Sequence, residues 1–178
     1  MKKILQPVIS RDDTETIFQN FAQKKVLKIF PAPKLKSVRL EMIYMPFFIF
    51  EITLEEKDRL HQVLFSADGI QGNVAPFSPE SEVYTYETDC QTYDFVISKD
   101  VAEKRVTEFS RGLVLEHGLK FNRNTSVKQI AFKQNIYFPF WIIYFQKKGR
   151  YDFKAIDAIS GELTPITMRQ VFLNVFRQ

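Results

Sequence analysis

The chain has 178 residues, 45% apolar and 15% aromatic, and carries a formal charge of +4 at pH 7. That is enough apolar side chain for one packed domain or two small ones, and it excludes a disordered or low-complexity chain. No apolar run approaches the ~20 residues of a membrane-spanning helix; Gln6, Pro7 and Arg11 interrupt the Lys2 and Lys3 start before a signal core develops, so the expectation is a cytoplasmic protein.

After a short extended opening piece, the first predicted helix covers residues 12–26. Asp12 and Glu15 have capping-box spacing, Ile17, Phe18, Phe21 and Ala22 share a face, and Lys24 and Lys25 suit the negative end of the dipole. Val38, Leu40 and Met42 then alternate with polar neighbours as in a half-buried strand. An I-Y-x-P-F segment follows at 43–47. Its Pro46 cannot donate to a ladder, which predicts a bulge, an edge or a kink where one strand ends and the next begins. Beyond a charged turn at 55–59, His61, Val63, Phe65 and Ala67 alternate again, up to the turn of Asp68 and Gly72.

Residues 77–99 read as a connector, with β-type stretches at 83–87 and 93–98 joined as a hairpin through 88–91. A second helix starts from Asp100 and Glu103, carries Ala102, Val106, Phe109 and Leu113 on one face, and has Gly118 as its stop. Ile130 and Phe132 alternate into a second I-Y-x-P-F at 136–140 with Pro139, a turn at 147–150, the alternating Tyr151, Phe153 and Ala155, and the turn of Asp157 and Gly161. Thr164 as cap and Pro165 at the first helical position open a C-terminal helix over 166–178, striped by Met168, Val171, Phe172, Val175 and Phe176.

Residues 43–76 and 136–165 therefore repeat one pattern. Pro46 and Pro139 are 93 positions apart, Asp68 and Asp157 are 89 apart, and the four-residue difference is expected as an insertion in the first turn. The fold class expected is α+β: two duplicated units of one helix plus about three antiparallel strands, with a C-terminal helix, divided as 1–90 and 91–178 and packed as one globular unit. In the closing turns Asp68 and Asp157 are expected to accept from backbone amides while Gly72 and Gly161 supply positive φ.

The chemistry inventory is thin. Two histidines, His61 and His117, and the single Cys90 exclude a thiolate zinc site and a disulfide, and no nucleotide-binding glycine loop occurs. No cofactor and no catalytic residue are assigned. Charge is uneven, with three Lys/Arg against eleven Asp/Glu over residues 46–100, so the net basicity is a poor argument for nucleic acid. One local surface is still a candidate binding site: Lys147, Lys148, Arg150 and Tyr151, with Tyr137 and Trp141 as stacking aromatics and Lys120, Arg123, Lys128 and Lys133 upstream.

The order of a helix before an antiparallel sheet, with a strand running YDFKAIDAISGEL, resembles the PepSY-type module; the IYFPFWIIYFQKKGRY segment also resembles a strand pair in some bacterial zinc-ribbon proteins, whose cysteines are absent here. This resemblance implies a non-enzymatic regulatory or ligand-binding module. The expectation is a non-catalytic binding or interaction module whose partner is a protein, a peptide or a small apolar ligand, with oligomerisation possible. The alternatives are a nucleic-acid-associated accessory protein and, third, a small enzyme of unrecognised type.

Overall fold

The computed structural model describes residues 2–24, 37–78, 83–85, 89–121, 125–147 and 149–176. The elements run β1 (Lys3–Leu5), α1 (Arg11–Lys24), β2 (Ser37–Glu56), β3 (Arg59–Asp68), β4 (Val74–Pro76), β5 (Val83–Thr85), β6 (Gln91–Thr92), α2 (Lys99–Phe121), β7 (Thr125–Lys147), β8 (Arg150–Asp157) and α3 (Ile166–Val175). The eight strands form one mixed, mostly antiparallel sheet, so the class is α+β.

Two long strands make the spine. β2 and β7 pair antiparallel from Ser37 opposite Phe145 to Glu56 opposite Thr125, with Met45 facing Phe138 near the middle of the ladder. Each then folds back as a hairpin, β2 onto β3 and β7 onto β8. Contrary to the expectation of a strand break, both strands run straight through Pro46 and Pro139. The Pro46 carbonyl accepts from Gly69 N on the outer side of β2, between the point where β6 pairs at Tyr44 and the point where β3 pairs from Phe47. Its missing N–H thus falls where the ladder changes partner, and little pairing is lost. Pro139 repeats this, accepting from Ala158 N between β1 and β8.

The four extra residues of the first unit are not in its turn. Both hairpins have two-residue loops; Lys57 and Asp58 sit at φ 50° and 62°, as the right-handed strand twist favours. The difference lies in the strands, since β3 has ten residues and β8 eight. Two residues added per strand keep every side chain on its face, which one would not.

Helix starts also differ from expectation. The cap of α1 is Ser10, not Asp12: Ser10 Oγ accepts from Asp13 N at 3.2 Å, and Asp13 Oδ2 accepts from Ser10 Oγ at 2.6 Å, which closes a box two residues earlier. Ser98 takes the same role for α2, accepting from Val101 N at 3.4 Å. α2 runs through Gly118 to Phe121; a helical Gly costs ~1 kcal/mol relative to Ala but does not end a helix by itself. α3 has no side-chain cap. Thr164 Oγ1 instead donates to the Ala155 carbonyl at 3.2 Å. The connector does not form its expected hairpin: β5 pairs with β1, β6 pairs in parallel with β2, and residues 93–98 are not strand; residues 86–88 lie outside the described ones.

Both faces of the spine are covered, and eight consecutive residues of β2 are buried, as expected of a sheet between helices. On one face α1 places Phe18 against Phe145 at 5.2 Å, over the β7–β8 hairpin. On the same face α2 places Ala102, Val106 and Phe109 over the β2–β3 hairpin. α3 covers the opposite face, burying Val171, Phe172 and Val175 against Phe140, Phe153 and Ile142.

Each strand-and-helix arm thus lies on the hairpin of the other half. Ile4 of β1 pairs in parallel beside Tyr137, and Thr92 of β6 pairs in parallel beside Tyr44. Val8 and Ile9 amides both donate to the Ala158 carbonyl, at 2.8 and 2.9 Å; Val96 and Ile97 amides both donate to Gly69, at 2.8 and 3.0 Å.

Candidate ligand cleft and the basic hairpin end

The turns that close the two hairpins are built alike. Asp68 is fully buried; its Oδ1 accepts from Ile70 N and Gln71 N at 3.0 and 2.7 Å, and its Oδ2 from Asn73 N at 2.7 Å. Asp157 Oδ1 accepts from Ile159 N and Ser160 N at 2.7 and 3.0 Å. Gly72 and Gly161 follow at φ 78° and 74°, where a side chain is disfavoured. These carboxylates are occupied by backbone. Among the described residues there is no group of three or more His, Cys, Asp or Glu side chains able to hold a metal.

At the middle of the β2–β7 ladder, Phe47, Phe138 and Phe140 point to the α3 face, with ring centroids 5.1 to 6.3 Å apart. They line a cleft of about 350 Å³ that the described residues leave between two walls. One wall is β3 and β4 with Ser66, Pro76 and Phe77; the other is the Asp157 turn, Leu163 and the start of α3 with Met168. α3 fixes the second wall because Phe172 packs edge-on against Phe140 at 5.2 Å. The cleft is apolar at its floor with hydroxyls and carboxylates at its rim, the composition of a small-ligand site, and its volume is at the small end of that range. Sequence periodicity assigns these phenylalanines to a strand face. That the face is incompletely covered depends on where α3 begins, which no local signal reveals.

The candidate basic surface assembles only in part. Lys147 lies opposite Arg150 at the end of the β7–β8 hairpin, next to Tyr151, which is 74% exposed. Lys148 lies outside the described residues, as does Arg123, and the side chain of Lys120 is likewise undescribed. Tyr137 and Trp141 are elsewhere. Tyr137 is buried mid-sheet beneath Lys2, and Trp141 is half-buried with its Nε1 donating to the Ile9 carbonyl at 2.8 Å, so neither is free to stack on a base. Lys128 and Lys133 pair with Glu55 and Glu51 across the strands, at 2.7 and 3.1 Å.

The group missing from the sequence reading is Arg169. It lines an open hollow with Lys147, Arg150 and Tyr151, and bonds Asp152 at 2.6 Å and the Phe153 carbonyl at 2.8 Å. Burial works to raise the Asp152 carboxyl, but hydrogen bonds from Arg169 and the Phe153 amide, with the charges of Arg169 and Lys154, outweigh it and hold the group below the ordinary carboxylate value. Arg169 stands near the N-terminus of α3, where the dipole disfavours a cation, and that misplacement is itself a signal that its partner lies elsewhere.

Two further groups bear on chemistry. Tyr144 OH donates to Glu41 at 2.6 Å, and Arg39 pairs with the same carboxylate. Burial, then the Glu41 bond and the Glu41 charge, push the Tyr144 phenol well above its ordinary value of 10, so it serves as a neutral donor. His61 is exposed near the β2–β3 hairpin end, and the side chain of His117 lies outside those described. No helix among the described residues is long and apolar enough to cross a membrane. Compared with protein-family models, curated proteins and solved structures, the chain matches none.

Proposed function

We propose that this chain is a non-catalytic binding module that receives an apolar group in the cleft over Phe47, Phe138 and Phe140. The observation that carries the reading is the cleft itself, an apolar floor with a polar rim, in a molecule whose turn carboxylates are satisfied by backbone amides. An apolar fluorophore titrated into the protein should bind saturably and be lost on Phe138→Ala with the fold retained. Binding that survives this change would move the site elsewhere.

We also read the chain as a tandem duplication of a strand, helix and hairpin unit whose arms are exchanged between the halves. Several matched contacts support it. Ile4 and Thr92, Val8 and Val96, and Ser10 and Ser98 are each 88 positions apart and make equivalent bonds. Met45 and Phe138, 93 apart, face each other near the middle of the β2–β7 ladder, as a local twofold axis requires. The PepSY-like reading rests on the order of elements and on the Asp157 turn.

A second reading, a nucleic-acid accessory role, is favoured only by the hollow of Lys147, Arg150, Tyr151 and Arg169. It ranks lower because Tyr137 and Trp141 are packed, leaving one exposed aromatic at that end.

A further inference from the structure

The cleft has a charge character opposite to that of the chain. The protein carries a net +4, yet among the described residues lining the cleft none is Lys, Arg or His, while two, Asp157 and Glu162, are acidic. They are not equivalent. Asp157 turns its Oδ1 to two turn amides, which absorb much of its field, whereas Glu162 is exposed at the rim, one residue past Gly161. The remaining polar groups of the rim are neutral hydroxyls, among them Ser66, Ser78 and Ser160. Among the described residues lining the cleft no cation compensates an anionic head, and a carboxylate or phosphate on the ligand would meet a like charge at its mouth.

Accordingly, and resting on the cleft reading above, we propose that the occupant is a small amphiphile with an apolar body and a protonated amine, the body over Phe47, Phe138 and Phe140 and the amine beside Glu162. The volume of about 350 Å³ suits one small molecule rather than a macromolecular segment. Unit charges ~6 Å apart, in surroundings midway between protein surface and bulk water, attract by the equivalent of about tenfold in affinity. That sets the expected discrimination against a neutral head, and a carboxylate head should do worse still.

The test titrates decylamine, decanol and decanoate, each below its micelle concentration, into the intact protein. Amide NMR shifts locate the site, and low ionic strength preserves the charge effect. Decylamine should bind about tenfold more tightly than decanol, decanoate more weakly than both, with shifts centred on Phe47, Phe138 and Met168. Glu162→Lys should invert the order of the two charged probes, decanoate then binding more tightly than decylamine. Three equal affinities at this cleft would overturn the amine assignment and leave the apolar site standing. Binding that maps to another surface, or no saturable binding by any of the three, would overturn both.

Discussion

Replacing Gly72 by alanine should destabilise the protein by about 2–3 kcal/mol, and the estimate separates into two parts. Gly72, Gly161 and Gly149 all hold φ between 74° and 78°, so an alanine at any of them costs ~1 kcal/mol for the left-handed conformation. A Cβ at Gly149 would meet nothing within 4 Å; one at Gly72 would lie 3.0 Å from Ile97 Cδ1 and 3.2 Å from Arg105 Cγ, and one at Gly161 3.2 Å from Ile17 Cδ1 and 3.4 Å from Ile9 Cδ1. These neighbours belong to the segments that pack on the turns, Ile9 and Ile17 before and in α1 and Ile97 and Arg105 before and in α2, and overpacking of this kind adds about 1–2 kcal/mol. The expected order of cost is Gly72, then Gly161, then Gly149, read from urea unfolding midpoints at a common slope. Ile97→Val in the Gly72→Ala background should recover part of the excess, a coupling that a purely local strain would not show. If Gly149→Ala costs as much as Gly72→Ala, the turns do not press against the arms and the packing argument fails.

Three other outcomes follow from the same geometry. Asp157→Asn should be mild because one oxygen does the accepting, while Asp68→Asn should cost roughly 1–2 kcal/mol more, since its second oxygen faces Asn73 N; equal thermal shifts for the two variants would refute the distinction. Because the Asp152 carboxyl is held below its ordinary value of 3.8, its pairing with Arg169 adds stability above that pH and loses it as pH falls through the folded value; Asp152→Asn should cost ~1 kcal/mol or less at neutral pH for this half-exposed pair, with the gap closing in acid. Binding of single-stranded nucleic acid should be absent at physiological salt; micromolar affinity, with a salt slope falling by about one unit per contact on changing Lys147, Lys148 and Arg150 to alanine, would reverse the ranking of the two functional readings.

How legible the molecule was depends on element length. The helix stripe of Ala102, Val106, Phe109 and Leu113, and the stripe of α3, span several turns and survive any error at their ends. The caps were misplaced because two overlapping patterns competed, Ser10 with Asp13 and Asp12 with Glu15, and only local geometry selects between them. β1 and β6 have three and two residues, too few for a periodic signal, so the pairing of β1 with β7 and of β6 with β2 could not be read locally. The same limit spoiled the candidate surface. Strand alternation assigns Tyr137 and Trp141 to one face of β7, but that face is covered there by the arms, Tyr137 lying beneath Lys2 and Phe95 and Trp141 against α1 and Ile9. Lys147, Arg150 and Tyr151, at a hairpin end, were exposed as their sequence suggested.

The most direct test of the account is to divide the chain. If α1 rests on the β7–β8 hairpin and α2 on the β2–β3 hairpin, neither half keeps the helix that covers this shared face of its own hairpin, α3 covering only the opposite face of β7–β8, and each cut piece exposes Phe and Ile side chains along the spine. Fragments 1–90 and 91–178 should therefore give collapsed, poorly dispersed amide spectra alone. Mixed after co-refolding, they should regain dispersion together, with the intact chain melting in one calorimetric transition. Two fragments that each fold alone, with dispersed signals and sharp transitions of their own, would contradict the exchanged-arm account.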